Sequence, residues 1–433
     1  MPAVILTPAD RAPVFDVVIT GMGVVSPIGV GEDAVWASLE GGDSGVRRNA
    51  QWAAAGYPFP IAGEVLDFDP KEFVKPRKAL KVMSRETQLG FAAAEMAWEQ
   101  ARLGDAQLDP ERLGVTCGSN MFCPELPEFE RGCHACDAGG GEFDYSRWGR
   151  DGLREVQPLW MLKYLPNMLP AHVGIAHDAR GPSNSIVAGE TSGLLALIEA
   201  ADVVARGHAD VMIAGGASST LALMDLVWHA GAGLSRRIEE PARASRPFDA
   251  HRDGWVGAEG AALFVLERRE HAAARGAAPL ARIAGYGRRW HAPAAPGAPA
   301  PDAIVQAIRA ALAMAQWERA AVGHVGAHGM STVADDRAEA AAIRETLGDV
   351  PVTAPKSYFG NIGAAGGALE LAVTLLGLRR GVVPPTLNYD APDPHCPVNV
   401  ATRIERSARP TALVLSHRAM GQATALAVEA LDD

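Results

Sequence analysis

The chain predicts an α/β fold built twice from one pattern, and three observations predict it. Continuous apolar runs of strand length alternate with apolar helices, as in a parallel or mixed sheet buried on both faces. The order short strand, tight turn, apolar helix occurs around Glu190 and again around Asn361, weak in letters but consistent in sequence of elements. With 433 residues, 48% of them hydrophobic, the chain can fill two core-building units.

The elements follow in order. Val14 to Gly29 reads as a strand running into a Gly-rich turn, and a helix with Trp36 and Leu39 ends at Gly41-Gly42. An amphipathic helix covers about Met83 to Leu103, and Arg112 to Ser119 is a buried strand. Asn120 to about Asp151 is Gly- and charge-rich and reads as an insertion, after which PLWMLKYLPNMLPAHVGIAHDARG reads as helix plus loop. A short strand leads into Glu190 and the helix SGLLALIEAADVVA; His208 to Ser219 is the next buried strand, and Ser245 to Glu270 is loop then strand. In the second half the helix DAIVQAIRAALAMA precedes a strand at His324 to Thr332, and TAPKSYFGNIGAAGGALELAVTLLGLRRG repeats strand, turn and helix. Asn361 then occupies the turn position that Glu190 occupies earlier. The predicted halves are 14–280, with an insertion over about 120–165, and 281–433; the Ala/Pro/Gly-rich stretch His291 to Asp302 has the composition of a boundary.

Charge and composition narrow the partners. A net charge of −11 argues against nucleic acid or an anionic membrane as the main partner, and the basic run Lys71, Lys75, Arg77, Lys78, Lys81 reads as a solvated stretch. No apolar run reaches membrane-spanning length and no signal-like segment opens the chain, so a cytoplasmic location is expected. The five cysteines, an odd and sparse set, fit reduced thiols. Cys133 and Cys136 with Cys123 nearby lack the second well-spaced pair that a zinc site needs, and a surface insertion is the simpler reading.

Glu190 is the most informative residue. GPSNSIVAGETSG places it on a turn at a helix N-terminus, where backbone N–H groups and the macrodipole favour an anion. A thiolate there would accept an acyl group; a carboxylate would give an anhydride too reactive to hold a chain. The turn is built for acyl transfer and lacks a nucleophile.

Five further motifs, GHADVMIAGGAS, SRPFDAHRDGWVGAEGA, AHGMSTVADDRAE, APKSYFGNIGAAGGALE and VPPTLNYDAPDP, complete the pattern. Over nearly its whole length the chain resembles the β-ketoacyl synthases of the condensing-enzyme superfamily, nearest the elongating type of fatty-acid and type II polyketide synthesis. The resemblance implies a duplicated, thiolase-type five-layer α/β/α/β/α fold. It implies an active site of one cysteine and two histidines supported by a lysine. Here the cysteine position is Glu190, the first histidine is His328, the lysine is Lys356, and the second histidine is Asn361. The gate loop, Phe- and Gly-rich in the family, reads Ser416 followed by His417, Arg418, Ala419, Met420 and Gly421. Asp336 and Glu339 match acidic positions that hold the His328 loop.

Scaffold motifs kept and catalytic elements changed resemble the chain-length factors of type II polyketide systems, which pair with a catalytic ketosynthase. That reading expects a heterodimer, or a homodimer through the same interface around Ser185 to Ala188, and an acyl carrier protein as partner. No metal or organic cofactor is implied, since phosphopantetheine arrives on the carrier protein. A second reading is a malonyl-carrier-protein decarboxylase. A third is another acyl-thioester enzyme using Glu190, His328 and Lys356 as an acid/base set. Opposed to both is a vestigial pocket in which Glu190 and Lys356 form an internal ion pair. His417 and Arg418 plug the entrance on the simplest view. Cys117 reads as a small core residue.

Overall fold

The first strand, β1 (Val17–Ser26), is buried along its whole length, which places it inside the sheet. The computed structural model describes residues 16–431 apart from 121–123, 230–232 and 296, so Val14 and Cys123 lie outside the described residues. The other principal strands of the first half are β2 (Leu113–Gly118), β3 (Ser183–Ile186), β4 (Val211–Ser219) and β5 (Glu259–Arg268). They run in the spatial order β3–β2–β4–β5–β1, parallel across β3, β2 and β4 and antiparallel beyond. The second half repeats this with β6 (Ala281–Trp290), β7 (His324–Gly326), β8 (Pro351–Thr353), β9 (Thr411–His417) and β10 (Gln422–Glu429), in the order β8–β7–β9–β10–β6. Parallel and antiparallel pairings fall at the same places. Val18 pairs with Arg282 and Ile19 with Ala281, so β1 and β6 join the halves into one twelve-stranded sheet.

Period-two alternation buries both faces of these strands. In β5, Phe264 and Leu266 enter the central core while Leu263 packs outward; in β9, Val414 faces the centre and Leu413 and Leu415 the outside. The central core also takes Leu194, Leu197 and Ile198 from one helix, α3 (Ser192–Ala205), and Leu369, Leu371 and Leu375 from its counterpart, α6 (Gly366–Arg379). α6 is buried from Gly366 through Leu378, as a helix with almost no polar side chains must be. Outside, α2 (Arg85–Gln100) covers the first half-sheet, and α4 (Pro301–Ala315) with α5 (Val333–Leu347) covers the second. α1 (Glu32–Gly41) ends at Gly42, whose φ of 71° closes the helix in the left-handed region. The result is the expected five-layer α/β/α/β/α fold.

Three details differ from the sequence reading. The strand expected over His324 to Thr332 is only His324–Gly326 long, because the next residues leave the ladder to bond with side chains of α5. β6 pairs along its length with β10, so His291 to Asp302 lies inside the second half and does not separate the halves. Between 124 and 165 the chain forms short helical turns around Phe129, Trp148 and Trp160, with Cys133 exposed and Cys136 buried. No group of three or more His, Cys, Asp or Glu among the described residues could hold a metal ion. Nor is any described helix long and apolar enough to cross a membrane.

Candidate active site

β3 ends at Ile186, and the following turn delivers Glu190 to the start of α3. Side chains of the first helical turn tie this bend. Ser192 Oγ donates to Gly189 O at 2.6 Å and accepts from Ala188 N at 2.8 Å, and Thr191 Oγ1 donates to Ala188 O at 2.9 Å. Gly189 has a φ of 60°, which a side chain would resist. Gly118 of β2 lies so close beneath that a Cβ there would stand 2.5 Å from the carbonyl carbon of Ser192.

The hairpin joining β9 to β10 closes over this turn. Ser416 Oγ donates to Glu190 O at 2.9 Å, and Arg418 Nε lies 3.6 Å from Glu190 Oε2. The guanidinium packs on the turn itself, since a Cβ on Gly189 would stand 2.7 Å from Arg418 Nε. At 3.6 Å the contact is an ion pair and not a hydrogen bond. Glu190 is therefore not paired with Lys356, and the internal pair expected from sequence is replaced by one with the gate loop.

Lys356 belongs to a second cluster. It opens the short helix Lys356–Phe359 and is 1% exposed. Its three N–H donors are all used: on Glu370 Oε1, on His328 O at 2.8 Å and on His328 Nδ1 at 2.9 Å. An ammonium can only donate, so Nδ1 accepts and the ring proton sits on Nε2. Burial, with the charges of Lys356 and His417, holds His328 well below the ordinary imidazole value. His328 is thus a neutral imidazole with an Nε2–H to offer.

α5 fixes the loop that carries His328. Glu339 Oε1 accepts from His328 N at 2.7 Å and Oε2 from Gly329 N at 2.8 Å, while Asp336 accepts from Ser331 N at 3.0 Å and Phe248 N at 2.7 Å. Asp336 also pairs with the buried Arg252 at 3.1 Å. These bonds give both acidic residues the loop-holding role expected of them.

Asn361 is 3% exposed, and its backbone is tied into the first half: Asn361 N donates to Val256 O at 2.7 Å and Asn361 O accepts from Ala258 N at 3.0 Å. Its Oδ1 accepts from Gly363 N at 3.1 Å. The carbonyl end of the amide is spent on the turn, which leaves the NH2 end as donor.

The four gate-loop residues separate in space. His417 is the last residue of β9 and 3% exposed, its ring edge-on to His328 at a centroid distance of 4.6 Å. It belongs to the buried cluster and does not form part of the gate. Arg418 covers the Glu190 turn, Ala419 lies at the hairpin bend, and Met420 is 59% exposed with its carbonyl accepting from Trp290 Nε1 at 3.0 Å.

Glu370 is the residue that sequence reasoning missed. It is 0% exposed on α6, and burial pushes its carboxyl up to about 7 against the pull of Lys356. The signal was a lone carboxylate in the apolar run GGALELAVTLLG, a placement that requires a buried cation. Cys117 is fully buried on β2 and burial raises its thiol strongly, so it holds a proton at neutral pH. The site offers a buried imidazole Nε2–H on His328 and a buried amide NH2 on Asn361 as donors. In place of a thiolate it offers an ion-paired carboxylate.

Comparison with known proteins shows the family of the chain. Residues 15–272 match the family described as beta-ketoacyl synthase, N-terminal domain, and residues 280–390 the corresponding C-terminal domain. The chain is 37% identical over 401 residues to the tetracenomycin polyketide synthase ketoacyl synthase alpha subunit of Streptomyces glaucescens, covering 91% of this chain and 92% of that one. Among solved structures it superimposes on the ishigamide ketosynthase/chain length factor with a TM-score of 0.84 at 28% identity, over 97% of this chain and 100% of the other. It also superimposes on one chain of the AntDE:AntF structure, a type II PKS acyl-carrier protein in complex with its ketosynthase bound to the hexaketide, with a TM-score of 0.84 at 29% identity over 97% of this chain and 100% of that one.

Proposed function

We propose, of a chain that belongs to the beta-ketoacyl synthase family, that it is the non-condensing, chain-length-factor-like subunit of a carrier-protein-dependent assembly system. The observation that carries this reading is Glu190 at the nucleophile turn, its backbone carbonyl accepting from Ser416 Oγ at 2.9 Å and its carboxylate paired with Arg418 at 3.6 Å. A carboxylate so held is a poor acyl acceptor, and the guanidinium occupies the approach to the turn.

The catalytic partner in this reading is a cysteine-bearing ketosynthase. Two features of the fold support it. β8 has its outer edge covered by the strand Asn399–Val400, whereas among the described residues β3 pairs with β2 alone and leaves Ser183 and Asn184 exposed. An uncovered edge flanked by exposed apolar side chains, here Val187 at 42% and Ile175 at 81%, suits pairing with another chain. The solved relatives include a ketosynthase/chain length factor and a ketosynthase with its acyl-carrier protein, and the same two partners are proposed here. Phosphopantetheine would enter on the carrier protein.

Co-expression with a type II ketosynthase tests the reading. A stable one-to-one complex that incorporates this chain supports it. A chain that remains a homodimer or monomer beside several such ketosynthases contradicts it. One observation favours a second reading, an acyl-thioester enzyme such as a malonyl-carrier-protein decarboxylase: the intact Lys356–His328–Glu370 cluster. In that case His328 Nε2–H and the Asn361 amide would donate to the thioester oxygen, Lys356 would supply electrostatic support, and Glu190 would mark the altered nucleophile position.

A further inference from the structure

The buried cluster contains a group that the reading above does not use. His417 lies at the end of β9, and its Nε2 stands 3.7 Å from Glu339 Oε2 with no hydrogen-bond partner. The same carboxylate holds the backbone N–H groups of His328 and Gly329. Glu339 therefore faces two demands at once: it fixes the loop that carries one imidazole and lies within ion-pair range of another.

We propose that His417 is a positioning residue for His328, forming with Glu339 a second cation–carboxylate couple beside that of Lys356 and Glu370. The two couples bracket His328 in charge as well as in space. Lys356 takes Nδ1 at 2.9 Å, and His417 presents its ring at a centroid distance of 4.6 Å. Two imidazoles this close do not both carry charge, least of all beside a buried ammonium.

The groups around His417 decide which of the two does. Burial works against a charge on it, but Glu339 and, farther off, Asp335 on α5 outweigh that burial and the repulsion of Lys356, so its value is raised. Glu370 on α6 also senses its charge. Arg418, the next residue, is engaged with Glu190. His328 has no carboxylate within hydrogen-bonding distance of its ring, Glu370 Oε1 being 3.9 Å from Nδ1. His417 thus takes the proton, and His328 is held neutral with its hydrogen on Nε2. The inference rests on the cluster alone and stands or falls apart from the partner-subunit reading.

Ring-labelled histidine NMR of the full chain across pH tests it, with signals assigned by His328→Asn and His417→Phe. The parent chain is expected to show His417 charged near neutrality and His328 as the neutral Nε2–H tautomer down to the acid limit of folding. Phe fills the space of an imidazole without charge, so in His417→Phe the ring of His328 should begin to take up a proton within the folded pH range, where the parent shows none. A folded His417→Phe with unchanged His328 titration and tautomer overturns the proposal and makes His417 a packing residue. Glu339→Gln removes the charge and keeps one of the two acceptors that the loop uses. There the His417 midpoint should fall below the ordinary imidazole value, since of the two carboxylates that oppose burial Asp335 alone then remains. An unmoved His417 midpoint in that variant equally overturns the couple.

Discussion

Replacing Lys356 by methionine removes the cation bonded to Glu370 in a site that cannot reach water. Lys356 is 1% exposed and Glu370 0%. Glu370 Oε2 already has no hydrogen-bond partner, so loss of the ammonium strips the remaining oxygen as well. Breaking a buried pair from one side costs about 3–5 kcal/mol, because it leaves a buried charge uncompensated. The carboxyl can escape by taking a proton. Its folded value, about 7 even beside Lys356, rises further without it. A carboxyl whose folded value lies above its unfolded one weakens the fold as pH rises, so the deficit is largest above neutrality and shrinks from about pH 8 to about pH 5. Guanidinium unfolding of parent, Lys356→Met, Glu370→Gln and the double variant measures this. The double variant should recover to within about 1–2 kcal/mol of the parent, which against single losses of about 3–5 kcal/mol each is a coupling of at least about 4 kcal/mol. A single-variant loss below about 1 kcal/mol, or one equal at both pH values, would refute the reasoning.

Three further outcomes follow from other residues. His324 is fully buried with neither ring nitrogen hydrogen-bonded, and burial lowers it to about 4. Its neutral form therefore contributes stability that is complete above pH ~6.5 and lost as pH falls towards the folded value. His324→Leu should reduce the stability drop between about pH 7.5 and about pH 5 by roughly 2 kcal/mol in urea titrations. Gly189→Ala meets both the φ of 60° and the Arg418 guanidinium, and should cost about 1–3 kcal/mol by thermal unfolding. Adding Arg418→Gly should return the steric part and leave the backbone part. Glu190→Cys alone should not give condensation, because Arg418 still covers the turn and Asn361 still stands at the second histidine position. Mass analysis of carrier-bound products would show otherwise as chain extension.

Strands with near-continuous apolar letters made the layers legible, since period-two burial on both faces leaves few alternatives for segments such as Glu259–Arg268. Both helix starts at the site were legible too, through their Gly-rich turns. The partner choices within the site were not. Which cation meets Glu190 depends on a hairpin more than two hundred residues away that lays Arg418 on Gly189, and no local pattern encodes that approach. Glu370 was legible in principle as a lone charge in an apolar helix, while His417 read as gate because its burial is set by strand length: β9 runs one residue past Ser416.

The account turns on whether this chain performs acyl chemistry itself. Intact-mass analysis of the purified protein with malonyl- and acyl-loaded carrier protein, alone and then with a cysteine-bearing ketosynthase, tests that most directly. With a non-condensing subunit, no protein adduct forms and neither carrier changes beyond the protein-free control, and extension begins when the partner is added. Malonyl converting to acetyl, or an acyl group lost to water, in the presence of this chain alone would contradict it and make His328 and Glu190 the centre of an enzyme.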